Sequence, residues 1–577
     1  MLGLLFVTAS NLFAVFPAQS VRIAIDLIQE NLNTYRLFTG STVQQELYHQ
    51  VEWILIYFSI LVFCFALIKG AFMFLMRQTL IVMSRLVEYD LKNDIFNHYQ
   101  QLSLSFYRKN NTGDLMARIS EDVGRVRMYI GPALMYTMNL VVTIILVLWA
   151  MFSVNVKLSF YVLIPLPILS YSIFYVNTII HKRSDAIQSQ LSRVTSFVQE
   201  AFSGIRVIKA FAVEDFSKED FEAYSDEYRN RSLDLAKVDA TFFPLMMFLT
   251  GLSTLITISV GGMLVIAGEI SIGNIAEFVI YVNMLMWPVA SLGVVTSMIQ
   301  RASASQERIN QFLETKPDII SDNNSPFAFQ KSIEFKSVNF CYSGKIENAV
   351  SDLSFTINKG ETIAILGSTG SGKSTIVQLL LRMMDVSSGE ILIDGNNIKS
   401  VNLKAYKEHI GYVPQDVFLF SDSISGNISF GLKDDKNSFD MVVKASDDAA
   451  LTSNVQSFPE GFKTIIGERG ITLSGGQKQR MSIARAFIKD PDILLLDDCL
   501  SAVDNKTESE ILENIERITQ NKTAIIISHR VSTVKNAGKI LVLDKGRIVE
   551  SGTHVELMQL QQKYADIYQR QLMEEIV

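Results

Sequence analysis

Charge is scarce in this sequence, and long stretches have none. Asp, Glu, Lys and Arg make up 19% of the 577 residues, against roughly 25% in an average soluble domain. None occurs from Met1 to Val21, Met128 to Val156, Leu158 to Ile180, Ala240 to Gly268 or Phe278 to Gln300, and Trp53 to Met76 holds only Lys69. About 20 apolar residues, as a helix rising roughly 1.5 Å per residue, are enough to cross a bilayer. These gaps exclude an ordinary soluble fold for the first 300 residues and predict six membrane spans. Cysteine is also scarce. Cys64, Cys341 and Cys499 are too few and too scattered for a disulfide framework or a metal-ligand set, and are expected as buried thiols. An excess of basic charge is missing too: the net charge of −7 argues against a nucleic-acid partner.

The apolar excess, 49% of all residues with a mean hydropathy of +0.24, lies almost entirely before residue 301. Within that part, the basic residues concentrate in segments 77–127 and 181–239, while the other loops hold only Arg22, Arg36 and Lys157. The excess of Lys and Arg on the cytoplasmic side of membranes places both polar segments, and both chain ends, in the cytoplasm. The first span has no basic residue ahead of Arg22, so it is not expected to be a secretory signal. The chain is expected to begin almost inside that span, without an amphipathic lead-in helix. The two polar segments show helical periodicity and should extend the membrane helices into the cytoplasm. Each has a break suited to a short connecting helix, with Asn110, Asn111 and Gly113 supplying turn chemistry in the first and Glu214 and Asp215 interrupting the apolar face in the second.

After the sixth span the composition turns polar, with Pro317 and Pro326 as punctuation. The expected division is a membrane domain over 1–314, a linker over 315–332 and an α/β domain over 333–577, where strand, Gly-rich turn and helix alternate.

The α/β part holds a nucleotide site in pieces. An apolar run from Ile363 to Leu366 leads into Gly367, Ser368, Thr369, Gly370, Ser371, Gly372, Lys373, Ser374 and Thr375, which fits G-x-x-x-x-G-K-S. Glycines let backbone N–H groups curl around a phosphate, and the next helix points its positive end at the same anion. Lys373 reaches the outer phosphates, and the Ser374 hydroxyl suits magnesium. A second cradle, Ser474, Gly475, Gly476 and Gln477 after Leu473, also opens a helix. Two phosphate cradles in one chain suggest that two chains share each nucleotide.

The second cradle resembles the signature motif of ATP-binding cassette (ABC) proteins. That resemblance implies the remaining roles. "GYVPQDVF" looks like the glutamine loop, with Gln415 sensing magnesium and the attacking water and touching the membrane domain. Tyr342 in "NFCYSG" would stack on adenine. Asp497 in "ILLLDD" would hold magnesium through water. His529 in "AIIISHR" would contact the γ-phosphate. "SAVD", Ser501 to Asp504, looks like a dimer-crossing loop, and Glu468 in "GERG" like a contact residue of exporters. "NNTGDLMARISEDV" and "SGIRVIKAF" look like coupling-helix regions. Six spans followed by one cassette is the order of an exporter half-transporter. The implied fold is a membrane all-α six-helix exporter domain followed by an α/β P-loop cassette. ATP and Mg2+ are the implied cofactors, and a second half-transporter is the implied partner. The implied location is a bacterial inner (cell) membrane with the cassette in the cytoplasm.

One residue departs from the family pattern. The position after Asp497 is normally glutamate, the base that orients water; here it is Asp498, one methylene short. A catalytic group misplaced by about 1 Å can lose on the order of 10²-fold in rate. In one reading, this chain pairs with a different half-transporter that supplies a glutamate; in the other, a homodimer hydrolyses slowly. The first is favoured. A protein gated by ATP binding without productive hydrolysis also fits Asp498, and transport with a non-hydrolysable analogue would reveal it. The substrate is not legible beyond a hydrophobic or amphipathic drug or lipid, although the absence of an N-terminal peptidase domain weakens a peptide-processing role. The Met- and Phe-rich runs "TFFPLMMF" and "YVNMLMWP" are read as lipid-facing or packing residues rather than a substrate cavity.

Overall fold

The structure, a computed structural model, describes residues 2–37, 40, 42–321, 323–432, 438–467, 473–500, 505–520 and 522–576. The chain divides into two compact units. One is Met1–Gln100 with Asn111–Thr315, and the other is Gln101–Asn110 with Lys316–Val577.

In the first unit, six helices are long and apolar enough to cross a membrane: Leu2–Leu37, Gln44–Gln101, Thr112–Val154, Val156–Ser203, Glu214–Ile266 and Ile272–Leu313. Five overlap the uncharged stretches, and the second takes in Trp53–Met76, charged only at Lys69. Polar sequence lengthens them well past a bilayer: Thr42–Gln101 has 60 residues, about 90 Å at the helical rise. Asn155 separates the third and fourth helices, with an extended backbone and a side-chain oxygen that accepts the Leu158 N–H. Ser271 and Asn274 form a reciprocal capping box at the start of the sixth. Around that helix, Phe278, Tyr281, Val282 and Leu285 are buried with Val15 and Ala18 of the first and Val147, Ala150 and Met151 of the third.

Much of the remaining apolar surface is bare. Trp53, Phe63 and Phe74 of the second helix are exposed, and "TFFPLMMF" splits by helix face, with Met246 buried but Phe243, Met247 and Phe248 exposed. Such a surface is costly in water, whereas lipid or another chain would cover it at no hydrophobic cost. The same surface corrects the expectation of three buried thiols. Only Cys499 is buried, while Cys341 is half-buried and Cys64 is exposed, on this second helix.

Short helices fill both expected breaks. Leu104–Lys109 is followed by Asn110 and Asn111 in extended conformation, and it belongs to the second unit. Ile205–Phe211 is bounded by Gly204 and by Ala212 at φ 53°. Glu214 and Asp215 do not make that second break. They open the following helix from its first turn, where carboxylates favour the positive end of the helix dipole.

The second unit is built on two sheets, an antiparallel one in the order β2 (Val350–Asn358), β1 (Ser332–Phe340), β4 (Ser388–Ile393) and β5 (Asn396–Asn397), and a six-stranded one ordered β10-β9-β3-β8-β7-β6. In the larger sheet, β3 (Thr362–Gly367), β6 (Ile410–Val413), β7 (Ile493–Asp497), β8 (Thr523–Ser528) and β9 (Lys539–Asp544) run parallel, and β10 (Arg547–Gly552) is antiparallel to β9. Every residue of β7 and β8 is buried, which accounts for their unbroken apolar runs in a sheet covered on both faces. The register aligns the strand ends: Leu366 pairs with Ser528, Asp497 with Ile527 and Val413 with Leu496. The loops after β3, β6, β7 and β8 therefore emerge together at the carboxyl edge of the sheet, where open α/β sheets bind ligands.

Candidate functional site

One cavity of about 380 Å³ at this edge is lined by Tyr342, Thr369, Gly370, Gly372, Lys373, Ser374, Thr375, Gln415, Asp497, Asp498 and His529, together with Lys345, Glu347, Asn348 and Ala349. Gly367, Ser368 and Ser371 complete the loop behind it. Its tight path requires glycine at two points. Gly372 sits at φ +99°, where a Cβ would come within 2.4 Å of the Ala349 carbonyl oxygen, and a Cβ on Gly367 would meet the Leu543 carbonyl oxygen at 2.4 Å. The buried Ser371 hydroxyl has no hydrogen-bond partner among the described residues.

Lys373 opens the helix Lys373–Leu380. Its Nζ donates to the carbonyls of Gly367 (2.8 Å) and Ser368 (2.9 Å). Burial lowers its pKa, and the nearby charges of Asp498 and Asp497 oppose that shift. A polyphosphate would supply the negative charge that this half-buried ammonium favours. The Ser374 hydroxyl donates to Asp497 Oδ1 at 3.0 Å, and Asp497 is only 2% exposed. Burial pushes the Asp497 carboxyl above its usual range despite that hydrogen bond, an arrangement a hard cation would relieve. Among the described residues no group of three or more His, Cys, Asp or Glu could hold a metal. The donors present, one hydroxyl and one carboxylate, instead fit magnesium that is otherwise held by phosphates and water.

Asp498 follows β7 at φ 50°, and its N–H donates to the Ile527 carbonyl at 2.9 Å. Its carboxylate lies 2.9 Å and 3.1 Å from His529 Nδ1 and accepts from Gln415 Nε2 at 3.4 Å. Burial raises the thiol of the next residue, Cys499, to about 12.

The Tyr342 hydroxyl is 3.0 Å from Thr375 Oγ1. The Arg108 guanidinium lies over the Tyr342 ring, 5.2 Å from its centroid, and Arg108 also donates to Gln378 Oε1 at 2.9 Å. Arg108 is not recognisable in the sequence as part of the site. Nothing in its spacing relates it to Tyr342, and its only signal is its place in a short basic helix between two turns.

The second cradle is elsewhere. Ser474, Gly475, Gly476 and Gln477 do not line the cavity. They begin the helix Gly475–Phe487, where the Ser474 hydroxyl accepts the Gln477 N–H and Gln477 Oε1 accepts the Ser474 N–H. Glu468 and Ser501–Asp504 lie outside the described residues.

Comparison with known proteins agrees with the fold, a helical membrane region followed by an α/β nucleotide-binding domain. Residues 1–289 match the family described as ABC transporter transmembrane region, and residues 350–501 match the family described as ABC transporter. Two proteins of Bacillus subtilis (strain 168) are 37% identical to the chain. One, named "Probable multidrug resistance ABC transporter ATP-binding/permease protein YheI", aligns over 85% of this chain and 83% of its own length. The other, named "Uncharacterized ABC transporter ATP-binding protein YknU", aligns over 84% and 83%. The solved structure of a bacterial Atm1-family ABC exporter with ATP bound superposes with a TM-score of 0.74 at 25% identity, covering 97% of each chain.

Proposed function

Because the chain belongs to the ABC transporter family, we propose that it is one half of a dimeric exporter for a hydrophobic or amphipathic drug or lipid, and that its own hydrolysis site is slowed by Asp498. It is an integral membrane protein with a cytoplasmic ATP-binding domain, and its transport is coupled to ATP hydrolysis. The observation that carries the proposal is the cavity in which the phosphate loop, Asp497, Asp498, Gln415 and His529 converge.

In this reading the loop Gly367–Ser374 and Lys373 bind the phosphates. Tyr342, held by Thr375 on one side and Arg108 on another, receives the base. Ser374 and Asp497 would hold Mg2+, which would neutralise phosphate charge when bound. Asp498 orients the attacking water, and His529 steadies its carboxylate. Phosphoryl transfer depends on positioning and charge stabilisation more than on covalent help, so a carboxylate set back by about 1 Å acts on rate rather than on binding.

That Ser474–Gln477 do not line the cavity supports a dimer in which each chain's second cradle completes its partner's site. A partner carrying glutamate after its own strand-end aspartate is the arrangement favoured for this chain. The bare apolar faces of the membrane helices and the multidrug name of one relative support a greasy substrate in contact with lipid. Proteoliposomes containing the full chain should accumulate a fluorescent hydrophobic dye with ATP, and Lys373→Ala should abolish this. Equal accumulation with a non-hydrolysable ATP analogue would instead favour gating by binding alone.

A further inference from the structure

The geometry points to Gln571, on the last helix of the chain, as a positioning residue for His529. The inference rests on the reading above, in which His529 serves hydrolysis.

His529 occupies a two-residue turn between the end of β8 at Ser528 and the helix Val531–Val534. Its side chain is 46% exposed, so packing alone does not fix the ring, and its aim depends on the backbone beneath it. One amide holds that backbone at two points. Gln571 Nε2 donates to the His529 carbonyl at 2.6 Å, and Gln571 Oε1 accepts the Val531 N–H at 2.7 Å. The match of donor to carbonyl and acceptor to N–H fixes the amide's orientation. The Val531 N–H opens a helix, where no intrahelical partner exists. Arg530, between the two contacts, is braced separately. Its N–H donates to Ser528 Oγ at 2.9 Å, and its guanidinium donates at 2.7 Å to the buried Glu508, which also accepts from Thr533.

The helix carrying Gln571, Lys563–Ile576, is anchored to the sheet that carries the phosphate loop. Tyr564 is fully buried in a cluster with Ala364 and Leu366 of β3 and Ile540 and Val542 of β9, and Ile567 and Tyr568 pack against it. Positions 564, 567, 568 and 571 share one helical face. Glu550 caps this helix, accepting the Lys563 and Tyr564 N–H groups at 2.7 Å and 3.1 Å. Gln571 thus connects a rigid frame to the turn that aims His529 at Asp498.

The test uses the reconstituted full chain, with single-turnover hydrolysis for the rate and steady-state hydrolysis for KM. Gln571→Ala is expected to lower the rate about tenfold, with KM for ATP within about twofold of wild type, because orientation is lost and phosphate binding is not. Gln571→Glu has the same length and keeps an acceptor for Val531, but it has no N–H for the His529 carbonyl. It should also be slow, and it decides the matter if the alanine variant fails to fold. In His529→Ala, adding Gln571→Ala should cost nothing more, since both changes act through one ring. Wild-type rates in the Gln571 variants, a loss that multiplies with that of His529→Ala, or a loss expressed in KM would overturn the inference. His529→Ala at the wild-type rate defeats the reading of His529 and this inference with it. A slow His529→Ala beside a wild-type Gln571→Ala defeats only this inference.

Discussion

His529 Nδ1 lies 2.9 Å from Asp498 Oδ1 and 3.1 Å from Oδ2, so the imidazole at the end of β8 straddles the carboxylate just past β7. Strand register produces this contact: Asp497 pairs with Ile527, which brings residues 498 and 529 out on adjacent loops. Asp498 is left-handed, with φ 50°, a conformation that short polar side chains accept better than most. Its carboxylate is engaged by His529 and Gln415 close to the strand ends. A glutamate would carry the same group roughly one C–C bond farther into the cavity.

The second cradle should act on a site other than its own. Ser474→Arg in this chain should abolish hydrolysis by the assembled dimer at the site that this cradle completes. ATP binding to this chain's own phosphate loop, measured by photolabelling with an azido analogue, should be unchanged. Loss of labelling with retained hydrolysis would contradict the shared-site arrangement.

The phosphate loop tolerates no side chain at Gly372. Its positive φ and the 2.4 Å approach to the Ala349 carbonyl mean that Gly372→Ala must shift the backbone around the anion. Labelling by the same analogue should fall at least about tenfold while the membrane helices remain folded by circular dichroism. Labelling at the wild-type level would show that the loop has slack absent from this structure.

In the first unit, Asp122, only 4% exposed, accepts from Arg308 Nε at 3.0 Å and from Ser305 Oγ at 2.8 Å, and Arg308 Nη2 donates to its Oδ1. Burial alone would raise the Asp122 pKa, but Arg308, Ser305 and Arg125 together hold it below the usual carboxylate range. Its stabilising contribution is therefore full above the unfolded value of 3.8 and is lost as pH falls through the lower folded value. Arg308→Ala should destabilise the unit by about 2 kcal/mol, less than a fully buried pair because the arginine is half-exposed. Asp122→Ala/Arg308→Ala should cost less than Arg308→Ala alone, since no uncompensated charge remains. Additive losses in thermal melts would contradict this.

Most of the fold and much of the nucleotide cavity are legible in the sequence because their causes are local. A run without charge is a span wherever it lies, and a glycine-rich turn followed by Lys373 and Ser374 is a phosphate loop by its own chemistry. The features that escape are those made by distant segments. Arg108 reaches Tyr342, and Gln571 reaches His529, through packing that no spacing encodes. Cys64 reads as buried because thiols favour apolar surroundings, yet its helix presents that apolar face outward. Glu214 and Asp215 read as a break because charge interrupts the apolar pattern, whereas carboxylates in a first turn help to start a helix.

Asp498 should slow this chain's own site while leaving the rest of it in order. The direct measurement is steady-state ATP hydrolysis by the purified full chain in lipid nanodiscs, wild type against Asp498→Glu, with KM for ATP determined for both. Asp498→Glu should raise kcat about tenfold or more, with KM little changed, because the added methylene restores about 1 Å of reach. Equal turnover, or slower turnover in the glutamate variant, would contradict it.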